Sequence, residues 1–371
     1  MYKAFGIINS SGKRIQVDGL EDYRPIGAFS FMGRYRVVDF PISNMSNSDI
    51  ERIHMYIGNN PRSLTDHLGT GRHYNINSKR GRLQILYSSN TDAHSNYNTD
   101  IAAYTENMEF IEQMHHPYVV IAPAYMVYTM NYSELIHTHV ESGADITLAY
   151  HAVDNARNAY LACDTLNLNR QKGVLSIAAN NGTSKNRNIF MDTYVMKTEF
   201  FIELVQKAQK ASSMYTLADI VNDACFDKDI RGYAHRGFFA PITDFQSYYD
   251  ANMSLIDFSH ATELFHDGWP IYTKTNDSCP TQYFENAHVK NSIVSNGCLI
   301  EGTVENSVIG RGVIIKKGAV VKNSIILADV IIGENADVEN QVVDKRARIT
   351  KIKKVISPSD KPGYIRRGDT I

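Results

Sequence analysis

Cysteine is scarce in this chain of 371 residues: Cys163, Cys225, Cys279 and Cys298 are widely separated and form no CxxC pair. That excludes a disulfide framework and a clustered-thiolate zinc site, and it predicts free thiols in a reducing cytoplasm. Net charge is nearly absent too, at −2, so nothing global favours nucleic acid or an anionic membrane. Aromatic residues are not interleaved with basic ones in a nucleic-acid-binding pattern. No apolar run reaches the length a membrane helix needs, and the start, Met1 to Asn9, turns polar too soon for a signal peptide. His115-His116 and His137-x-His139 have spacings that do not share a helix face, which argues against a metal pair. The expected setting is the cytoplasm, with no cofactor, no nucleic acid and no membrane.

What is present is ordinary in composition, 43% hydrophobic and 21% charged, and long enough for two domains. The last third carries a repeat. Ile309, Ile326 and Val343 are 17 residues apart, as are Ile315, Ile332 and Ile349; Val304, Val321 and Val338; and Asn306, Asn323 and Asn340. Cys298 is read as extending the Ile315 register backwards. Within a coil the apolar positions fall six apart and close with a five-residue step, with turns at Gly312, Gly318, Gly333 and Asn335. This is the pattern of a hexapeptide parallel β-helix, whose coils bury one aliphatic stack.

The first two thirds alternate apolar runs (Ala4–Ile8, Tyr118–Ala122, Ile146–Ala149) with helix-like stretches (Ser43–Ile53, Ala102–Gln113, Ser133–Ser142). Buried strands alternating with helices predict a Rossmann-like α/β domain with a mostly parallel sheet. The expected divisions are 1–245 for that domain, 246–284 for a helix (Phe245–Phe258) and connector, and 285–371 for the β-helix.

Several stretches carry a family likeness. Gly33-Arg34-Tyr35-Arg36-Val37-Val38-Asp39-Phe40-Pro41-Ile42-Ser43-Asn44, Ser247-Tyr248-Tyr249-Asp250-Ala251-Asn252-Met253 and Gly297-Cys298-Leu299-Ile300-Glu301-Gly302-Thr303-Val304 are the longest. Together they resemble the glucose-1-phosphate adenylyltransferases, the ADP-glucose pyrophosphorylases of glycogen synthesis. The resemblance spans nearly the whole chain. It implies a nucleotidyltransferase domain followed by a left-handed β-helix.

The family's chemistry has requirements that this sequence does not meet. A Gly-rich loop after the first strand lets backbone N–H groups approach phosphates, and here it reads Asn9-Ser10-Ser11-Gly12-Lys13-Arg14. Gly12 and Arg14 survive, but the two leading glycines do not. Where the family has Lys-Pro stands Ile26-Gly27, with Arg24-Pro25 displaced by two. Its base-binding GTADA falls on Thr99-Asp100-Ile101-Ala102-Ala103, and its acid-Lys-Pro sugar-phosphate motif on the Ile177–Asn181 stretch. The two metal carboxylates fall on Tyr125 and Pro241. Mg²⁺ is held by carboxylate and phosphate oxygens, so neither side chain serves. Phosphoryl chemistry without metal and cations loses many orders of magnitude in rate.

The resemblance therefore implies the diverged regulatory branch of the family: no catalytic residue, no metal, and a catalytic glucose-1-phosphate adenylyltransferase subunit as partner in a hetero-oligomer, expected to be a tetramer. Residues of a degenerate nucleotide or effector cleft are Gly12, Lys13, Arg14, Arg34, Arg36 and Asp39. Arg34 and Arg36 fit an anion site or a turn whose charges pair with Asp39. Lys79-Arg80-Gly81-Arg82 and the basic run Lys345 to Lys354 fit a phosphorylated effector, an acidic partner or a solvated surface. Residues Asn252–Phe258 and the β-helix faces are candidate subunit contacts. An active transferase with metal ligands relocated to Asp244 or Asp100 is the alternative, and a stand-alone sugar or nucleotide sensor a further one. A β-helix acyltransferase lacks its histidine, since none follows His288.

Overall fold

The computed structural model describes residues 2–10, 15, 17, 19–77, 79–88 and 98–371. The run Ala4-Phe5-Gly6-Ile7-Ile8 forms the central strand, Ala4–Asn9, of a nine-stranded sheet. It lies parallel to Arg52–Ile57 on one side and Tyr118–Pro123 on the other, with Arg82–Tyr87 parallel beyond the first. Side chains alternate across the sheet, as a period of two requires. Phe5 and Ile7 enter one buried cluster with Tyr56, Tyr104 and Phe201. Ala4 and Ile8 enter the other, with Met45 and Ile53. Beyond Tyr118–Pro123 the sheet turns antiparallel at Arg187–Lys197, which also pairs Ile146–Val153 and Asp164–Leu168.

The helices are shorter than the sequence suggests. The expected helix 43–53 is Asp39–Asn47, because Asp49 takes a positive φ of 57° and the chain turns into the strand Arg52–Ile57. The stretch 102–113 is two helices, Asp100–Glu106 and Met108–Glu112, broken at Asn107, whose side-chain amide donates to the Tyr87 and Ala103 carbonyls. Likewise 245–258 ends at Ser254, and a second helix starts at Phe258.

Residues from Gln282 onward wind into three parallel five-stranded sheets, the left-handed β-helix. Ile309, Ile326 and Val343 stack in one sheet, Val304, Val321 and Val338 in another, and Ile315, Ile332 and Ile349 in the third. One expected register is corrected: Ile300, not Cys298, stands on Ile315. The corner from Ile300 to Val304 is two residues shorter than the one from Ile315 to Val321, so that step is 15 residues rather than 17. Gly302 makes the short corner possible, since a Cβ there would lie 2.4 Å from the Ala319 carbonyl oxygen. Cys298 lies buried in the same stack as Val313, Val330 and Ala347.

One β-helix sheet is covered on both faces. Its outward residues Val308, Ile325 and Val342 are buried in the core of the N-terminal domain. Gly33, at φ 68°, approaches so closely that a Cβ would meet Ser295 Oγ at 2.5 Å and the Ile309 carbonyl oxygen at 2.8 Å. Buried Arg24 bonds to buried Asp344, and Tyr364 donates to both Asp344 Oδ2 (2.8 Å) and the Gly19 carbonyl (3.1 Å). No helix among the described residues is long and apolar enough to cross a membrane.

Candidate functional site

Parallel α/β sheets bind ligands beyond the carboxyl ends of their strands. Here Asn9 and Pro123 end two neighbouring strands beside a cleft of about 230 Å³. Four carboxylates line it, those of Asp100, Asp164, Asp192 and Asp219, and the described lining residues include no lysine or arginine.

Tyr125 lines this cleft, and the chain brings Pro241 close to it on a neighbouring strand. The strand Phe239–Pro241 pairs antiparallel with Met126–Tyr128, Pro241 opposite Met126, and the Ile242 N–H donates to the Tyr125 carbonyl at 2.8 Å. The Tyr125 side chain is buried, and its hydroxyl donates to Asp192 Oδ2. Burial, reinforced by the Asp192 charge, pushes its phenol well above the usual range. It stays a neutral donor and is no phenolate ligand. Pro241 offers no side-chain oxygen. A hard divalent cation does not fit these two positions.

The proposed replacements are committed elsewhere. Asp244 caps the helix Phe245–Ser254 by accepting from the Ser247 N–H at 2.7 Å in a capping box. Asp100 accepts the Ile101 and Leu217 N–H groups at 2.8 and 3.0 Å, and burial pushes its carboxyl up to about 7. In the Ile177–Asn181 stretch, Asn180 is a staple whose amide donates to the carbonyls of Ala156, Ala159 and Tyr160. His139 bonds Thr147 and His137 pairs with Glu141. Among the described residues no group of three or more His, Cys, Asp or Glu could hold a metal. Gly12, Lys13 and Arg14 lie outside the described residues.

Arg34, Arg36 and Asp39 sit at the seam between the domains rather than in the cleft. Asp39 is fully buried and accepts the Arg36 N–H at 2.8 Å and the Tyr74 hydroxyl at 2.6 Å, with His67 Nε2 also at 2.6 Å. Its carboxyl is lowered: burial opposes the charge, but His67 and the hydrogen bonds outweigh it. The Arg36 guanidinium turns inward to the Ala28 carbonyl. Arg34 is exposed over the Tyr35 ring, in a groove shared with Arg311, whose guanidinium donates to the Arg34 carbonyl at 3.2 Å.

The basic run divides. Arg346, Arg348, Lys351, Lys353 and Lys354 are exposed, whereas Lys345 turns to the seam. Burial, with Arg36 and Arg24 nearby, pushes the Lys345 amine down to about 6. Arg24 leaves one buried guanidinium nitrogen, Nη1, without a partner. Lys79 and Arg80 remain solvent-exposed. Sequence reasoning missed Asp192, Asp164 and Arg311. It placed Arg24 only as a displaced fragment of a phosphate motif.

Comparison with known proteins adds to this picture. A nucleotidyl transferase family profile matches residues 7–257, and a GlmU-like C-terminal hexapeptide profile matches 279–358. The glycogen biosynthesis protein GlgD of Geobacillus stearothermophilus is 30% identical over 325 residues, covering 86% of this chain and 83% of that protein. GlgD of Bacillus subtilis (strain 168) is 29% identical over 363 residues, 98% and 95% of the two chains. A glucose-1-phosphate adenylyltransferase of Fervidobacterium nodosum is 30% identical over 328 residues, 86% and 78%.

Proposed function

This chain belongs to the nucleotidyl transferase family, with GlgD proteins and glucose-1-phosphate adenylyltransferases among its relatives, and on that premise we propose that it serves glycogen biosynthesis as a non-catalytic subunit. In this reading it assembles in the cytoplasm with a catalytic glucose-1-phosphate adenylyltransferase as a hetero-tetramer. It raises or regulates the conversion of ATP and glucose 1-phosphate to ADP-glucose and diphosphate. The observation that carries the reading is the meeting of Tyr125, which lines the cleft, with Pro241 on the neighbouring strand. These are the two residues aligned with the family's metal carboxylates; they lie close together, and neither offers a carboxylate. The binding energy of such a subunit goes into favouring an active conformation of its partner.

The seam supplies the regulatory half of the proposal. Arg24, Arg36 and Lys345 converge there, Asp344 is the carboxylate bonded to Arg24, and burial beside Arg36 and Arg24 lowers the Lys345 amine to about 6. A phosphorylated effector is the ligand this arrangement suits. The deciding experiment measures ADP-glucose synthesis with Mg²⁺ by this chain, by its catalytic homologue, and by the two mixed. Silence alone and stimulation in the mixture are expected; robust turnover by the pure chain would overturn the reading. Tyr125→Asp with Pro241→Asp is expected to leave the pure chain inactive, because the phosphate cations and leading glycines are missing as well.

A further inference from the structure

Two helices, Phe245–Ser254 and Phe258–Leu264, lie beside a corner of the β-helix, and the Tyr249 hydroxyl fastens the first of them by donating to the Asn323 carbonyl at 2.5 Å. A groove of about 690 Å³ opens along this junction. One wall is apolar, with Met253, Ile256 and Phe258. The Phe258 ring is 81% exposed, so most of its apolar surface stands in water. The other wall is a column of amides. Asn291, Asn306 and Asn323 each hold a φ of 45° at successive corners, and the Asn306 and Asn323 N–H groups donate to the Lys290 and Glu305 carbonyls of the coil before. The coils are therefore about 4.8 Å apart, the spacing of paired strands. The Asn291 amide donates to Asn306 Oδ1 at 2.6 Å. Asn306 Nδ2 and both amide atoms of Asn323 are left without a protein partner among the described residues.

The described lining residues include no lysine or arginine, so a phosphate finds no fixed cation in this groove. Its one carboxylate, Asp257, has Oδ1 taken up by the Ser259 N–H and hydroxyl at 2.8 and 2.6 Å. His260 Nδ1 donates to the Ser254 carbonyl at 3.1 Å, which leaves Nε2 as an acceptor. The ligand that suits these walls is neutral, carries hydroxyls for a row of amides, and turns an apolar face to a ring. A pyranose chain has all three, with hydroxyls around its rim and C–H bonds on its faces. An amide both donates and accepts, so one asparagine meets two neighbouring hydroxyls, and a few such groups fix a ligand's orientation. We propose that this groove is a saccharide site that holds a neutral α-glucan chain and seats the subunit on the polymer its assembly serves. The proposal rests on the glycogen-biosynthesis reading for the identity of the sugar, and it places the site outside the cleft.

Native electrophoresis of the full chain through gels containing glycogen tests this, with mannan as the control polymer and calorimetric titration with maltoheptaose as the solution measurement. The wild type is expected to be retarded by glycogen and not by mannan, and to bind maltoheptaose saturably. Phe258→Ala should weaken that binding by about tenfold or more, as loss of an aromatic anchor does. Asn306→Gly keeps the left-handed corner while removing the amide, and should weaken it several-fold, the worth of a hydrogen bond or two. Circular dichroism establishes that each variant is folded, and the exposed position of Phe258 lets that variant carry the test alone. An unretarded wild type, equal retardation by mannan, or undiminished binding by the folded variants would overturn the proposal. So would a Phe258→Ala chain that loses self-association in sedimentation yet still binds glycogen, which gives the groove to a second copy. ADP-glucose synthesis by the mixed subunits is measured in parallel: failed stimulation strikes the non-catalytic reading, whereas failed retardation strikes the groove.

Discussion

At the scale of single residues, the buried charges set the responses to pH and mutation. Asp100 is raised from 3.8 to about 7, so between those values the folded chain holds a proton that the unfolded chain has released. Its contribution to stability is full below about 4 and is lost as pH rises through 7. His54, His139 and His235 are lowered by burial from 6.5 to about 4 and act in the opposite sense. Their contribution is present above 6.5 and lost as pH falls toward 4. The Lys345 amine, lowered by burial from 10.5 to about 6, acts in the same sense as the histidines at higher pH, so thermal unfolding should show stability rising to about pH 6.5 and then holding level toward neutrality, where the Asp100 and Lys345 contributions offset. Asp100→Asn keeps an acceptor for the Ile101 and Leu217 N–H groups and is expected to steepen the rise in stability between about pH 4 and 7. The ion pair at the seam is a different case. Asp344→Ala strands the Arg24 guanidinium in the interior, and loss of one partner of a buried pair costs about 3–5 kcal/mol. Urea unfolding measures it directly.

At the scale of elements, the β-helix owes its corners to asparagine as much as its core to isoleucine. Asn291, Asn306, Asn323 and Asn340 all hold φ between 45° and 54°, and the Asn291 amide donates to Asn306 Oδ1 at 2.6 Å. Asn306→Ala should cost about 1–2 kcal/mol, since alanine resists the left-handed backbone. Asn306→Gly should cost clearly less, and the two urea midpoints side by side separate backbone from side chain. This element was the most legible in the sequence, because each coil repeats one burial demand at a fixed spacing. Reading failed where the period broke, at Cys298, since a two-residue deletion beside Gly302 leaves only a glycine as its trace. Helix ends were lost for a related reason: Asp49 and Asn107 stop their helices through a turn and a tertiary hydrogen bond that no local pattern announces. Tyr125 and Pro241 were aligned with the family's metal carboxylates through motif spacing alone, and the strand pairing of Pro241 with Met126 brings the two residues close in space. Asp192 was not legible. An aspartate among the apolar residues of a strand carries no mark of its backbone angle, a φ of 45°.

At the scale of the molecule, the two domains share one core. Val308, Ile325 and Val342 sit among N-terminal residues, so parting the domains would expose that sheet face to water. A single calorimetric unfolding transition is expected, with no plateau for a surviving β-helix. Charge at the seam couples the same two bodies. Lys345→Met removes an amine from the proposed effector site without breaking the Arg24–Asp344 bond. It is expected to abolish effector response in the mixed assembly while stimulation of the catalytic homologue persists.

The bond between Arg24 and Asp344 joins residues 320 positions apart, one near the start of the chain and one in its penultimate stretch. A ribosome therefore finishes the first half of this bond long before it makes the second. Until the closing coils emerge, the early strands keep an open flank and a guanidinium still in water. The nascent amino-terminal body is provisional, and the β-helix made after it is what seals it.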